Sequence, residues 1–453
     1  MEKFFKITER GSTLSTEIIA GITTFLTMAY IIFVNPSILS LDGAPIGVPY
    51  DAAFMATCIG AATMCILMGL WANRPIALAS GMGLNAIVAF TLIGGLGVDW
   101  RIAMAVIFIE GLIITVCVLV GIREAVFDAI PASLRRAIGV GIGLFIAFIG
   151  FKNGGLVVAD AATFLTMGDL TSAPVIVALV SIIVTAVCMV LRVKGDILIG
   201  VLVATIVAIF MGIAQIPSGI FLLPDFSTAF ASFGAPFQMV EGKMALLHVL
   251  TSATLLLFVF SILMTDFFDT MGTLVAVGEE AGFVDDEGDI DDAKEMLLVD
   301  SIAAAFGGLI GASSITSYIE SGSGVSDGGR TGITVIVTGL LFLFAIFFLP
   351  LVGVVPAEAT AGALIIVGCL MAAPIRHIEW GEFENAFPAF MTIVMIPLTY
   401  NITNGIGMGF ISYVVVKAAA GKFKEIKPFM WVVAVAFLLV FLEPVYTAML
   451  GLN

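Results

Sequence analysis

Long apolar runs follow one another along almost the whole chain with only short polar connections between them, so the hydrophobic pattern predicts a succession of membrane-spanning helices. A helix needs about 20 apolar residues to cross the hydrocarbon. Runs of that kind are expected at 17–39, 52–72, 76–94, 101–121, 132–150, 173–192, 197–214, 246–278, 294–311, 313–327, 331–350, 358–373, 385–400 and 404–420. A further apolar segment, 428–449, either crosses, leaving the C-terminus outside, or lies along the interface, leaving both ends on one side. No polar block is large enough to fold separately, and the start MEKFFKITERGST has no apolar core of a cleavable signal peptide.

Two runs are interrupted in the same way. The third, PIALASGMGLNAIVAF, has Gly81, Gly83 and Asn85 at its middle; the tenth, SSITSYIESGSGVSDGGR, carries Gly322 and Gly324 just after Glu320. Irregular backbone at membrane depth is tolerated only where protein buries it or it lines a wet cavity. Paired interruptions at corresponding positions of two halves point to a transporter site. Each interrupted run is the third of its half if the chain divides into seven plus seven, and an odd number per half makes the repeats inverted in the membrane. A weaker echo agrees, IPASLRRAIGVGIGLFIAFIG from Ile130 resembling VPAEATAGALIIVGCLM from Val355.

Composition sharpens this picture. The 453 residues are 60% hydrophobic and 12% charged, which excludes an ordinary soluble domain. The net charge of −15 comes largely from one loop, Glu279–Glu295, whose Asp285, Asp286, Glu287, Asp289, Asp291 and Asp292 read as a solvated linker and lack the glycine an EF-hand turn requires. Threading the runs with the N-terminus cytoplasmic puts all of the Lys and Arg residues on the cytoplasmic side except Arg101, Lys152 and Lys243. Cys58, Cys65, Cys117, Cys188 and Cys369 all sit in apolar stretches without a CxxC pair and read as small core residues.

The candidate chemistry lies in the eighth and tenth runs. In LLLFVFSILMTDFFDTMGTLVAVG, Asp266 and Asp269 share a helix face, with Thr270 and Thr273 on or near it. Two acids at membrane depth with no Lys or Arg near them in sequence are costly to keep ionised, as a proton-coupled carrier requires; for Asp269, bracing a broken neighbouring helix is an equal alternative. Glu320 makes a third carboxyl. A flat heterocycle with N–H donors on one edge could be held by these carboxylates, read by the Asn85 amide and stacked on Tyr318 or Phe268, although ordinary packing explains most single aromatics in a chain with 36 Phe. Half-helix N-termini at the breaks would add N–H donors. GVSDGGRT, from Gly324, imitates a phosphate-binding loop but ends a membrane run instead of joining a strand to a helix in a soluble unit. His248 and His377 are too far apart in sequence to suggest a metal pair, Glu110 reads as a core brace, and no cofactor or metal is expected.

At these residues the sequence resembles the AzgA-like branch of the nucleobase–ascorbate (nucleobase:cation symporter-2) transporters, the hypoxanthine/guanine/adenine permeases. The matching stretches are TEIIAGITTFLTMAYIIFVNPSIL, GMGLNA, DFFDTMGTLVAV and TSYIESGSGVSDGGRTG. The resemblance implies an all-α polytopic membrane protein of about 14 spans in two inverted seven-span repeats, with spans 3 and 10 broken by short extended pieces. A core domain (1–125 and 246–350) would move against a gate domain (126–245 and 351–453, with the C-terminal apolar segment). By position, it implies Asn85, Asp266 and Glu320 as substrate residues, with Gly83 and Asp269 in close support; the Ser321-Gly322-Ser323 stretch touches the same site and departs from the Ala-rich residues of many relatives.

The expected function is import of a purine nucleobase by proton symport, with Asp266, Asp269 and Glu320 coupling the proton, by an elevator-like movement in the cell (inner) membrane. The bilayer is the surrounding partner, no nucleic acid partner is indicated, and the oligomeric state, a homodimer included, is left open. Rivals are an anion transporter or channel on the same fold, disfavoured by three acids and no base in the site, and an intramembrane aspartyl protease, disfavoured because both Asp sit on one helix and no GxGD occurs.

Overall fold

With apolar side chains on most faces, these segments satisfy their backbone groups internally as helices and pack on one another or face outward. The computed structural model describes residues 2–41, 43–121, 130–216, 219–222, 230–283 and 292–442. Among them, nine helices are long and apolar enough to cross a membrane, and shorter apolar helices lie between these.

The chain order is α1 (Leu14–Met28), α2 (Ile31–Leu39), α3 (Tyr50–Trp71), β1 (Leu78–Ser80), α4 (Met82–Ala86, continuing as a π-helix over Ile87–Gly95) and α5 (Trp100–Val120). Next come α6 (Ala132–Asn153), β2 (Val157–Asp160), β3 (Phe164–Met167), α7 (Ala173–Val190), α8 (Asp196–Phe210), β4 (Met239–Val240) and β5 (Lys243–Met244). The remainder is α9 (Ala245–Thr251), α10 (Ala253–Ala281), α11 (Ala293–Ile310), β6 (Ile315–Ser317), α12 (Ser321–Ser326), α13 (Gly332–Ala345), α14 (Ala357–Met371), α15 (Phe383–Leu398), α16 (Ile402–Ala419) and α17 (Pro428–Phe441).

The structure refines several expectations. The run 246–278 divides at Ser252, whose hydroxyl caps α10 by accepting from the Leu255 N–H at 3.3 Å. The first run is two helices parted at Ala29 and Tyr30. An all-α chain is also too simple a description, since three two-stranded antiparallel ladders occur among the described residues. One is a hairpin, β2–β3, in the connection between the fifth and sixth runs; its turn is closed by Asp160, whose carboxylate accepts from the Ala162 and Thr163 N–H groups at 2.8 Å each. Those bonds, that from Thr163 first, hold the Asp160 carboxyl below the usual carboxylate range. The acidic residues 284–291 and the end of the 428–449 segment lie outside the described residues.

The most extensive helix packing falls into two sets. In one, α5 packs on α11, α3 on α13 and α1 on α13; in the other, α6 packs on α14 and α15, α7 on α8 and α14, and α15 on α16. Contact between the sets is sparser, through α4 with α6, α10 with α6, and α1 with α8. Missing Cβ atoms bring the backbones together at the tightest crossings: Gly69 faces Gly332 between α3 and α13, and Gly143 faces Gly368 between α6 and α14.

Candidate functional site

The site begins with two extended pieces that meet head-on inside the bundle. Leu78, Ala79 and Ser80 pair antiparallel with Ser317, Thr316 and Ile315. Among the described residues neither strand has a second strand beside it, so every remaining backbone group there needs another partner. The Cys65 thiol lies 3.2 Å from both the N–H and the carbonyl of Leu78. Ser321 Oγ accepts from the Ala77 N–H at 2.9 Å, the Gly81 N–H donates to Ser314 O at 2.8 Å, and the Tyr318 N–H donates to Ala77 O at 2.9 Å.

This bracing explains two of the candidate residues. The buried Tyr318 side chain donates its hydroxyl to Ser80 O at 2.5 Å, and Ser321 secures the start of β1, so both hold the strand pair in place. Phe268 lies on α10, and its side chain is outside the described residues.

The carboxylates surround this pair. Asp266 is buried on α10 and accepts from Ser314 Oγ at 3.2 Å, so it sits against the residue whose carbonyl caps the Gly81 N–H. Asp269, one turn on and half-buried, interacts electrostatically with Asp300 and Glu320. Glu320, also half-buried, immediately precedes α12 and accepts from the Tyr30 hydroxyl at 2.7 Å. Tyr30 lies at the junction of α1 and α2, where the backbone keeps right-handed helical angles, and its hydroxyl reaches across to Glu320.

Asn85 lies one turn into α4, its N–H bonded to Gly81 O at 2.9 Å. Its side chain is fully buried, and neither the carboxamide oxygen nor the nitrogen has a hydrogen-bond partner among the described residues. An amide with donor and acceptor both open in the interior is costly unless something else fills it. Gly83, on the same turn, has no Cβ to press on Ile142 of α6, and this lets α4 approach the second set of helices.

Sequence reasoning missed Asp300. This buried carboxylate on α11 accepts from Thr270 Oγ1 at 2.6 Å, the Ser317 N–H at 2.8 Å, Ser317 Oγ at 2.7 Å and Thr316 Oγ1 at 3.4 Å. It ties α10, α11 and β6 together beneath the site. The signal was present, since an acid inside an apolar run is exceptional. Tyr30 and Cys65 carried no such signal.

Two broken spans meeting among buried carboxylates, inside a bundle of apolar helices, define a membrane carrier. The fold agrees: the transmembrane domain of a cyanobacterium bicarbonate transporter, BicA, superposes with a TM-score of 0.60 over 86% of this chain and 97% of that one, at 16% identity. The chain belongs to the Permease family, whose Xan_ur_permease profile matches residues 15–441. It is 43% identical to the guanine/hypoxanthine permease PbuG of Bacillus subtilis over 98% of this chain and 99% of that one. It is 40% identical to the adenine permease AdeP of Escherichia coli over 97% and 95%. The protein is therefore a multi-span membrane permease and not an enzyme, and the aspartyl-protease reading falls away.

Proposed function

We propose that this permease carries purine nucleobases across the membrane with protons, by movement of one helix set past the other. The observation that carries the reading is Asn85: a buried carboxamide with donor and acceptor both unoccupied among the described residues, on α4, which packs against the α10 helix that carries Asp266 and Asp269. A purine presents N–H donors to carboxylates and adjacent ring-nitrogen and oxygen acceptors to an amide donor, so its edges match this donor and acceptor set. The purine permeases among the relatives support the same choice of substrate. An anion offers the site no donor edge and would meet carboxylates, so the fold shared with a bicarbonate transporter is not read as shared cargo.

A neutral base moves no charge of its own, so uphill transport requires a coupled ion. Asp266, Asp269 and Glu320 are the groups able to take and release a proton as the site turns from one face to the other. Tyr30 donates to Glu320 and Ser314 to Asp266, giving those two carboxylates a fixed donor.

Pairing each segment with the one seven positions later supports about 14 spans in two repeats. The α5–α11 contact exchanges with α3–α13, α7–α8 with α15–α16, and α6–α15 with α7–α14, while α6–α14 and β1–β6 exchange with themselves. On this reading residues 1–125 and 246–350 form the mobile core, 126–245 and 351–453 the gate, and the N-terminus is cytoplasmic, in the cell membrane.

The test is uptake of labelled purine by Asp266→Asn, Glu320→Gln and Asn85→Ala in cells lacking their own purine permeases, with surface amounts measured in parallel. Each carboxylate variant is expected to lose uptake while reaching the membrane, and Asn85→Ala to raise KM about tenfold or more, the cost of one lost hydrogen-bonding group in a buried site. Near-normal uptake by both carboxylate variants would remove these groups from the mechanism.

A further inference from the structure

A recess lies at the far end of the helix that carries Asn85. Phe90 and Gly94 follow Asn85 by five and nine residues on the continuous α4 and π-helix. There a recess of about 380 Å³ is lined by Phe90, Lys152, Asn153 and Tyr400 among others, and one of about 410 Å³ adjoins it, sharing Lys152 and Tyr400 and reaching the β2–β3 hairpin. Leu41 also lines the first recess, so it opens on the face opposite the N-terminal residues, the outer face in the orientation proposed above.

The recess is built from aromatic rings and one cation. Tyr400 stands between α15 and α16 at φ +53°, a backbone conformation rare for a bulky residue, which sets its ring among three others. Phe90 lies 5.8 Å, Phe145 5.1 Å and Phe148 6.0 Å from it between centroids, all edge to face. Phe90 comes from the first helix set and the others from the second, so the cluster bridges the seam. The Lys152 ammonium sits 3.3 Å from the Tyr400 hydroxyl and 5.0 Å from its ring centroid, and among the described residues no carboxylate pairs with it.

We propose that this recess is an outer binding site for the purine on its way to the central site, and that Lys152 makes it prefer 6-oxopurines to 6-aminopurines. This rests on the purine reading above. A flat ring can stack on one of these aromatic faces, Tyr400 or Phe90, whichever purine it belongs to, because every base offers a π-face. The ammonium is different: it has only donors to offer. A 6-oxopurine presents two adjacent acceptors, its exocyclic oxygen and N7, whereas a 6-aminopurine puts a donor beside N7. Lys152 therefore binds the first edge with both contacts and meets a mismatched donor on the second.

The experiment is the KM of labelled hypoxanthine and adenine uptake for the unsubstituted protein, Lys152→Met, Lys152→Arg and Tyr400→Ala, with surface amounts measured in parallel. The unsubstituted protein is expected to favour hypoxanthine. Lys152→Met is expected to lose about three- to tenfold of that preference, the fold-change of one hydrogen bond, while Lys152→Arg keeps it. Tyr400→Ala is expected to raise both KM values together, leaving their ratio in place. A hypoxanthine-to-adenine ratio unmoved by Lys152→Met, or an unsubstituted protein that favours adenine, overturns the outer site while purine transport stands. If the unsubstituted protein takes up neither purine, the purine reading fails and this inference fails with it.

Discussion

At the scale of single residues, the site depends on polar groups placed where nothing but one another or a cargo can satisfy them. Asp300 is the clearest structural case, because three residues on two elements donate to its two oxygens. In Asp300→Ala the Ser317 N–H and hydroxyl lose the acceptor Asp300 gives them, and the Thr270 hydroxyl is left with Thr316 Oγ1 at 3.0 Å. Unsatisfied buried groups cost about 1–3 kcal/mol each, so a loss of several kcal/mol of stability is expected. Thermal unfolding of the detergent-solubilised protein would measure it, and an unchanged midpoint would show that Asp300 does not hold the frame. Asp266, Asp269, Glu320 and Asn85 were legible as candidates because polar side chains in apolar runs are expensive and therefore informative. Tyr30 and Cys65 were not, since a tyrosine or cysteine in a span is ordinary. Their partners, Glu320 and Leu78, are brought to them only by the fold.

At the scale of elements, the interruptions of the third and tenth spans were visible in the residues themselves, and their short extended form came from the family resemblance and is what the structure shows. The glycines suggested breaks at Gly81, Gly83, Gly322 and Gly324, whereas the extended pieces lie just before them, at Leu78–Ser80 and Ile315–Ser317. Three residues are too few to show the alternation of a strand, and each strand's only partner is far away in sequence, so no local pattern could reveal the pairing. Gly81 caps α4, Gly83 faces Ile142, and Gly324 sits beneath Thr24 and Ala20, so these glycines serve close approach. The same demand is severe at Gly111, where a Cβ would fall on the Ala305 backbone between α5 and α11. Backbone cannot move aside as a side-chain tip can, so Gly111→Val is expected to cost about 3 kcal/mol or more. The check is the yield of monodisperse protein after solubilisation, and a normal yield would show that α5 and α11 can separate at that crossing.

At the scale of the whole molecule, two helix sets meet at a sparse boundary beside the candidate site. The first set contributes both broken spans and the carboxylates, while the second presents Ile142 opposite Gly83 and Tyr400 opposite Phe90. On the other face, Lys194 of the α7–α8 connection pairs with Asp327 at the end of α12, and Thr23 donates to the same carboxylate at 2.6 Å. Under the proposed movement of one set past the other, contacts at both ends of the seam would be broken and remade in turn. Gly83→Val is accordingly expected to reduce the rate of uptake at least tenfold while the protein still reaches the membrane, because the added side chain presses on Ile142 at the boundary and not within either set. Transport and surface expression measured together would separate this from misfolding, and a parallel loss of both would place the damage in folding.

The central claim is that purine movement is driven by protons, and uptake into proteoliposomes tests it most directly. The purified protein would be given labelled hypoxanthine, guanine and adenine with and without an imposed inward proton gradient, in the absence of sodium. Saturable accumulation of a purine above its external concentration is expected only with the gradient, and it should collapse on addition of a protonophore. Accumulation that ignores the proton gradient and follows sodium instead would contradict proton coupling, and failure of well-reconstituted protein to move any of the three would contradict purine carriage itself.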